Sequence, residues 1–560
     1  MLRYARFPQT IKLHFSMAGY TYKISTSAYH GYSCMRKQHY ISLIFSLSFV
    51  GILSMPAFCT LLDINPKDVY LIQENRKLSE KPDITTTSLY NISKQWDNYF
   101  NDHLAYRNHF LGIYIYIWEK ILRSPVNQYV TGRHGELFMN HAAPIVDAAL
   151  DIIPKTDEEM DLVRLGAAGT AAYFSLSNIP YYLFLIPDKT TLYPELMPFY
   201  ASFTEHKGWY PSLQKTLEDA HINFYSLYEY FLQSKHKISL YNKIYDVEHW
   251  NGNGIDLAYK KISNILSQTN IIFSPLIGQE YYTLYNKEVT ASVFGIETVP
   301  FIKINNIDEI KDITYQLPIN NISPYYTRLY ENPNKQKGTL WLLTDSYFNA
   351  THGLELCTPF IHNVHFLLQT HYQETSLLWF DKILNKYKPD AVVETFVERA
   401  GLLAHRSSQD SRLRILGDIW LNTPGYLLDA ALVESQAQPV NATKLLNDQT
   451  CILNAVSDDP LLLLPPITTD SYGRAVVMAN LNSPSDTVAQ LFYDEKGHFN
   501  AQQSVACPIK RGDNLIHLSI KTKPNSTVFL RFDPGMVAGS YIFSSIFEAE
   551  CLKEKISHGL

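Results

Sequence analysis

Two short stretches of the sequence contain groups that together can activate a nucleophile. Ser346 in TDSYF offers a hydroxyl, and His249 in DVEHW offers an imidazole base. A hydroxyl attacks a carbonyl carbon efficiently when a base takes its proton and a third group orients that base. Asp246, three residues before the histidine, and Glu248, directly before it, are both candidates for the third group. The stretches therefore predict a Ser-His-acid site.

Each stretch also has an ordinary structural interpretation. An Asp-x-x-His spacing is typical of a polar surface turn, and the pair Asp345-Ser346 after a strand is typical of a helix N-cap. The order of the groups along the chain decides nothing, because the same catalytic geometry occurs in different orders on unrelated folds. The prediction of chemistry depends on a fold that brings the two stretches together.

The surrounding elements predict an α/β fold with a parallel sheet that is flanked by helices. The segments PYYLFLIPDK, KGTLWLLTDSYF and PDAVVETFVERA each contain an apolar strand pattern and alternate with helical patterns. Strands that are apolar on both faces are typical of parallel sheets covered on both sides. Functional groups lie at the carboxyl ends of such strands, and Ser346 lies at such an end, after LWLL. We place this domain at residues 91–410.

Four further residues lie at predicted strand ends. The backbone N–H of Tyr347, after the serine, could contribute to an oxyanion hole. Asp345 and Lys189 could line the site, and a structural role fits Lys189 equally well. For Arg399, both substrate contact and a structural ion pair with Glu398 are open interpretations.

Composition excludes some classes of function. The chain has 560 residues, which is enough for two or three domains. The net charge of −6 argues against a nucleic-acid partner, because phosphate binding needs a basic face. No Cys/His spacing is typical of a zinc site, and Ser-His-acid chemistry needs no cofactor or metal. The 39 tyrosines fit a carbohydrate binder, and compositional bias explains them equally well.

The N-terminal part of the chain predicts a membrane anchor. Residues 40–62 contain no charged side chain, and about 20 such residues span a bilayer core as a helix. Residues 1–39 contain six Lys or Arg and no acid, so the positive-inside rule places them in the cytoplasm. We expect an uncleaved anchor in the inner membrane, a polar linker at residues 63–90 and a catalytic part in the periplasm. A cleaved signal peptide that leaves a soluble periplasmic protein is the alternative.

Residues 411–560 predict a β-sandwich. Short apolar runs such as GRAVVMANL, TVAQLFYD and STVFLRFD follow one another at intervals of about ten residues, separated by turn residues. Carbohydrate binding and a purely structural role are both open for this domain. It contains Cys451, Cys507 and Cys551, of which one pair could form a disulfide.

Several separated stretches, taken in order, resemble the motifs of one family. They are ENRKLSEKPDI, FNDHLAYRNHFLGIY, GRHGELF, IPDKTTLYPELMP, EHWNGNG, TDSYF and KPDAVVETFVER, and they cover about residues 70 to 405. Together they resemble the alginate O-acetyltransferase family AlgX/AlgJ, whose members have an SGNH-hydrolase-like domain. One departure concerns the acid. The family usually has Asp two residues before the histidine, where this chain has Val247, whereas Asp246 has the spacing common in SGNH hydrolases.

The resemblance implies a function for the predicted site. Ser346 would form an acetyl-serine intermediate and pass the acetyl group to a hydroxyl of an exported, alginate-like polysaccharide. The donor of the acetyl group would be supplied by a membrane acyltransferase. A polysaccharide acetylesterase with the same triad, and a non-catalytic glycan-binding scaffold of an exopolysaccharide assembly, are the alternatives.

Overall fold

The computed structural model of the protein divides into two compact units, Met1–Ile117 and Trp118–Leu560. Residues 91–117, which we expected in the catalytic domain, belong to the first unit instead. The structure describes residues 27–62, 64, 79–82, 89–117, 129–139, 145–150, 155–198, 208–268, 282–291, 295–305, 308, 310–318, 327–333, 338–349, 362–367, 377–399, 410–447 and 449–558.

The described part of the first unit is helical. Its helices are α1 (Ser27–Leu61), α2 (Leu89–His103) and α3 (Arg107–Tyr116). Within α1, Tyr40–Thr60 is long and apolar enough to cross a bilayer, and most of its large apolar side chains are exposed. A signal sequence near the N-terminus has the same properties, so anchoring stays a prediction. The Ala105 N–H donates to Thr60 Oγ1 at 2.8 Å, which joins the turn between α2 and α3 to the end of α1.

The second unit begins with alternating strands and helices. Its first described helices are α4 (Ile145–Ala149), α5 (Asp157–Leu176), α6 (Lys189–Leu192), α7 (Tyr210–Glu218), α8 (Tyr228–Ser234), α9 (Gly252–Gln268), α10 (Ser346–Asn349) and α11 (Leu377–Leu384). The strands are β1 (Tyr129–Thr131), β2 (Leu137–Met139), β3 (Tyr181–Ile186), β4 (Asn223–Ser226), β5 (Tyr282–Thr290), β6 (Ile296–Ile304), β7 (Lys311–Asp312), β8 (Thr327–Glu331), β9 (Thr339–Thr344), β10 (His362–Leu367) and β11 (Ala391–Val397).

The central sheet has seven strands in the order β4-β3-β11-β9-β10-β8-β7. Strands β4, β3, β11, β9 and β10 pair in parallel. Strand β8 pairs antiparallel with both β10 and β7, so the sheet is mixed and not wholly parallel as predicted. The residues of β8 alternate between buried and half-buried, which is the pattern of an antiparallel strand with one face near solvent.

Alternate side chains of the central strands fill a separate hydrophobic core on each face of the sheet. Leu183 and Leu343 belong to one core, and Phe184 and Leu342 belong to the other. Because both faces are covered, a strand can be apolar at every position. The second core also contains Trp250, next to the predicted base, so the predicted site is built on this face.

Helix α12 (Ser411–Trp420) lies beyond the predicted domain boundary at residue 410 and yet packs on the α/β part. It crosses α5, which begins with a capping box formed by Thr156 and Glu159. The two helices approach so closely that a Cβ atom on Gly169 would lie 2.2 Å from the carbonyl oxygen of Leu413. The close approach explains why this position of α5 has no side chain.

The remaining elements form two sheets that share one hydrophobic core. The six-stranded sheet contains β12, β14, β15, β17, β20 and β22, and the five-stranded sheet has the order β13-β16-β21-β18-β19. All their pairings are antiparallel except that of β12 with β17. The elements are β12 (Gly425–Leu428), α13 (Ala430–Ser435), β13 (Gln438–Val440), β14 (Ala442–Asn447), β15 (Thr450–Ala455), β16 (Leu461–Thr468), β17 (Arg474–Ser483), β18 (Thr487–Asp494), β19 (Ser504–Ile509), β20 (Gly512–Lys521), β21 (Thr527–Asp533), β22 (Gly539–Ser544) and α14 (Phe547–Ser557).

The cysteines of this C-terminal part are free thiols. Cys451, Cys507 and Cys551 form no disulfide with one another, so the bridge that one pair could have formed is absent. Burial raises the pKa of the Cys451 and Cys507 thiols, which keeps them in the less reactive protonated form.

Gly169→Ala should destabilise the second unit, because its methyl group would meet the Leu413 carbonyl and force α5 and α12 apart. We expect a loss of about 1–3 kcal/mol in the free energy of unfolding, the usual range for overpacking. Denaturant unfolding of the wild-type and variant chains measures this loss. An unchanged unfolding midpoint would contradict the close approach of the two helices.

Candidate active site

His249 lies in the loop between α8 and α9, residues 235–251, which we call the histidine loop. The side-chain oxygen of Asn251 accepts the Gly254 N–H at 3.2 Å and so caps the start of the helix. A backbone bridge between Tyr241 and Trp250 closes the loop on itself. The position of the imidazole is therefore fixed by ordinary secondary structure on both sides.

The loop turns sharply at Asp246, which has a φ of +40°. Asp adopts left-handed backbone more readily than most residues, because its short polar side chain can form local hydrogen bonds. The turn brings Asp246 Oδ1 within 2.8 Å of His249 Nδ1. Glu248 instead offers its backbone carbonyl oxygen to Arg399 Nη2, at 2.6 Å. The structure thus places Asp246, and not Glu248, against the imidazole.

Ser346 is the first residue of α10, and one residue, Asp345, separates it from the end of β9. Its Oγ atom lies 3.1 Å from His249 Nε2. One ring nitrogen of the imidazole therefore faces Asp246 and the other faces Ser346. This geometry suits a base that takes a hydroxyl proton while a carboxylate stabilises the imidazolium that forms. Whether the three groups act in this way stays a prediction.

Asp345 holds the serine loop, residues 345–347, in place. Its side chain does not line the site. Its Oδ1 accepts the Tyr347 N–H at 2.9 Å, and its Oδ2 accepts the Val397 N–H at 2.7 Å. Burial raises the pKa of Asp345, and these two hydrogen bonds oppose the rise. The expectation that the Tyr347 N–H contributes to an oxyanion hole is wrong for this conformation, because that N–H donates to Asp345.

The Tyr347 residue joins the serine loop to the histidine loop. The Trp250 indole N–H donates to the Tyr347 carbonyl oxygen at 2.9 Å. The fully buried Tyr347 ring packs edge-on against the rings of His249 and Trp250, with centroids 5.3 and 5.4 Å apart. These contacts fix the distance between Ser346 and His249, which are 97 residues apart in sequence.

An ion pair between Arg399 and Asp188 supports Tyr347. Arg399 Nη1 binds Asp188 Oδ1 and donates to the Tyr347 hydroxyl oxygen at 3.1 Å. The same hydroxyl donates to Asp188 Oδ1 at 3.1 Å. An ion pair with Glu398 was one of two open interpretations of Arg399, and it is wrong, because Arg399 pairs with Asp188.

The Glu398 carboxyl group occupies a separate buried position. It accepts hydrogen bonds from Thr191 Oγ1 at 2.7 Å and from the Asp188 N–H at 3.2 Å. Burial, together with the nearby Asp188 carboxylate, raises the pKa of Glu398 to about 8. Glu398 is therefore mostly neutral at pH 7. The carboxyl group that contacts Arg399 is that of Asp188.

Lys189 is buried and joins the turn before β2 to the histidine loop. Its Nζ binds Glu136 Oε2 at 2.8 Å, the Leu137 carbonyl oxygen at 2.8 Å and the Asn242 carbonyl oxygen at 2.7 Å. An ammonium group has three N–H donors, and these partners use them. Of the two open interpretations of Lys189, these contacts favour the structural role. Burial lowers the pKa of Lys189, and Glu136 opposes this effect.

Glu297 on β6 is a positioning residue that sequence reasoning missed. Its carboxylate accepts the backbone N–H groups of Lys243, Ile244 and Tyr245 at 2.6, 2.8 and 2.8 Å. These three residues directly precede Asp246. The Glu297 carboxylate therefore fixes the backbone that leads into the turn at Asp246. No signal in the sequence marks Glu297, because it lies in a hairpin about 50 residues from the loop that it holds.

Within the described part of the chain, no group of three His, Cys, Asp or Glu side chains is arranged to hold a metal ion.

Comparisons with known proteins give low similarity. No family model and no curated protein matches the chain. Among solved structures, PatB1 of Bacillus cereus with a sulfonyl adduct is 19% identical over 49% of this chain and 96% of that chain, with a TM-score of 0.37. The O-acetyltransferase domain of Pseudomonas putida AlgJ is 14% identical over 52% and 99%, with a TM-score of 0.35. Pseudomonas aeruginosa AlgX is 12% identical over 74% and 94%, with a TM-score of 0.32.

Glu398 should make the protein less stable as the pH rises. Its pKa is about 8 in the fold against an ordinary value of 4.5. Between these values the folded state holds a proton that the unfolded state has released. Stability should therefore fall with rising pH by up to about 1.4 kcal/mol per pH unit.

Glu398→Gln should make this fall shallower, because the amide keeps the shape of the carboxyl group and does not titrate. Urea unfolding at several pH values between 4.5 and 8 measures the slope. Glu195→Gln, which alters a partly exposed ion pair with Lys235, is the matched control and should leave the slope unchanged. Equal slopes for Glu398→Gln and wild type would contradict the assignment.

Proposed function

We propose that the chain is a membrane-anchored O-acetyltransferase that transfers acetyl groups to hydroxyls of an exported polysaccharide. The observation that carries the proposal is the position of the His249 ring, 2.8 Å from Asp246 Oδ1 and 3.1 Å from Ser346 Oγ. The sequence resemblance to the alginate O-acetyltransferase family supplies the substrate class. The same triad would serve an esterase, so the acceptor is the part of the proposal that most needs a test.

The first half of the reaction acylates the enzyme. Ser346 Oγ attacks the acetyl carbonyl carbon of the donor while His249 Nε2 takes the hydroxyl proton. The bond from the acetyl carbon to the donor's leaving group then breaks, and His249 returns the proton to that leaving group. Asp246 keeps the imidazole oriented and stabilises its transient positive charge. The product is an acetyl ester on Ser346.

The second half transfers the acetyl group to the acceptor. A sugar hydroxyl gives its proton to His249 Nε2 and attacks the ester carbonyl carbon. The bond to Ser346 Oγ breaks, and the serine regains the proton from His249. Atoms and charges balance with no redox step and no further reactant. Transfer exceeds hydrolysis only if the sugar hydroxyl occupies the site in place of water.

We place this chemistry on the periplasmic side of the inner membrane, and the apolar N-terminal helix supports this part of the proposal. Tyr40–Thr60 would anchor the chain in the inner membrane, with the catalytic unit on the periplasmic side. An acetyl donor made in the cytoplasm must then be carried across the membrane, and a membrane acyltransferase is the partner that we propose. The two C-terminal sheets would form an accessory β-sandwich domain, for which a structural role and carbohydrate binding both stay open.

Ser346→Ala should abolish ester turnover. We expect a loss of about a thousandfold or more in kcat, because the nucleophile is removed. The test incubates the full-length chain in detergent micelles with p-nitrophenyl acetate, with and without oligosaccharide acceptors. Ser267→Ala, which removes an exposed hydroxyl on α9, is the matched control.

The products distinguish the candidate functions. Acetyl groups that appear on the oligosaccharide in a Ser346-dependent manner would establish transfer. Ser346-dependent release of acetate alone, with every acceptor tried, would favour the acetylesterase. Equal turnover by wild type and Ser346→Ala would contradict catalysis and leave the glycan-binding scaffold.

Asp246→Asn and Glu248→Gln distinguish the two candidate acids. Asn keeps the shape of Asp and also tolerates the left-handed backbone at this position. We expect Asp246→Asn to lower kcat by about a hundredfold or more, since the imidazolium loses its countercharge. Glu248→Gln should stay within about threefold of wild type, because the part of Glu248 that Arg399 uses is a backbone carbonyl. The opposite ranking of the two kcat values would assign the acid to Glu248.

A further inference from the structure

The hairpin of β5 and β6 stands beside the histidine loop. Its nine residue pairs run from Tyr282↔Ile304 to Thr290↔Ile296. Ile302 of β6 is buried in the same core as α9, which anchors one face of the hairpin. On the other face, the Glu297 carboxylate binds the N–H groups of the histidine loop. The hairpin is thus held firmly at β6, whereas most of β5 is exposed.

Three aromatic rings lie next to one another on the face that carries Glu297. Tyr285 and Phe301 are direct partners across the hairpin, with ring centroids 5.9 Å apart and a stacked orientation of 27°. Tyr245 of the histidine loop contacts Phe301 with centroids 6.2 Å apart. Tyr285 is 43% exposed and the other two rings are half-buried. A cluster of partly exposed rings on a surface is typical of a ligand-binding face.

This aromatic face is continuous with the candidate active site. Tyr245 is the residue directly before Asp246, and the Asp246 carboxylate binds the imidazole of His249. Burial, followed by the charge of Asp246, raises the pKa of the Tyr245 hydroxyl, as expected for a ring beside the carboxylate. An unbroken series of neighbours therefore runs from the Ser346 hydroxyl to Tyr285 at the outer edge of the hairpin.

The charges on the same face are positive. Side chains two residues apart along a strand point to the same side, so Lys287 lies beside Tyr285 and Lys303 lies beside Phe301. Both lysines are exposed. The carboxylate on this face, Glu297, is already bound to three backbone N–H groups. The face thus combines flat apolar surfaces with two exposed lysines.

We propose that Tyr245, Phe301 and Tyr285 form an acceptor subsite for an acidic polysaccharide. This inference rests on the proposed function and names the surface that presents the sugar hydroxyl to His249. The C–H face of a sugar ring packs on an aromatic ring, while its hydroxyls stay in contact with water. Carboxylates of a uronate chain would lie near Lys287 and Lys303. Such a surface would hold the acceptor beside the acetyl-serine and favour transfer over hydrolysis.

The test measures binding separately from turnover. The full-length Ser346→Ala chain in detergent micelles is titrated with an oligomannuronate hexamer, and the dissociation constant is measured by calorimetry. We expect Tyr285→Ala and Phe301→Ala, each added to this chain, to weaken binding about tenfold. Tyr285→Phe keeps the ring and should keep the affinity. Tyr315→Ala removes a tyrosine that is 83% exposed on another element and is the matched control.

Each outcome bears on the subsite. Equal affinity of the parent and Tyr285→Ala chains would overturn it, as would binding of cellohexaose, a neutral chain, as tight as that of the uronate. Loss of binding in both Tyr285→Ala and Tyr285→Phe would also overturn it, because the ring would then not be what binds. If Tyr285→Ala weakens binding and no Ser346-dependent turnover is found, the subsite stands and the proposed transferase fails.

Discussion

The arrangement of the site depends on the largely buried guanidinium group of Arg399. It binds Asp188 after β3, the Tyr347 hydroxyl in the serine loop, and the Glu248 carbonyl oxygen in the histidine loop. A charge removed from water must be paired, and its N–H groups must find acceptors. The end of β3 and both loops must therefore all contact Arg399, because only then are its charge and its N–H groups paired. The distance between nucleophile and base follows from this requirement.

Other charged groups around the site also hold distant parts of the main chain. Asp345, Lys189 and Glu297 each bind backbone groups of segments that are distant in sequence. Lys189 also binds the Glu136 carboxylate, and all these contacts fix the path of the main chain. Asp246, which is partly exposed, is the carboxylate that faces the imidazole. Positioning and reaction are thus assigned to different charged groups.

Glu297 connects the histidine loop to the hairpin. Its carboxylate holds the three N–H groups before Asp246, and its strand carries Phe301. The orientation of the acid and the position of the aromatic face therefore share one anchor. In a transferase this coupling has a clear use, because the acceptor hydroxyl must reach the same imidazole nitrogen that faces Ser346. A hydrolase, whose acceptor is water, has no such need.

The sequence predicted the parallel core of the sheet and proposed Ser346 and His249 as partners, because apolar periodicity and strand-end position are local properties. It left Asp246 and Glu248 open, since only the left-handed turn at residue 246 decides which carboxylate meets the ring. The antiparallel edge of the sheet and the helix packing beyond residue 410 also came from tertiary structure. The positioning contacts of Lys189, Asp345 and Glu297 also appear only in the tertiary structure, because they reach partners that lie far away in the chain.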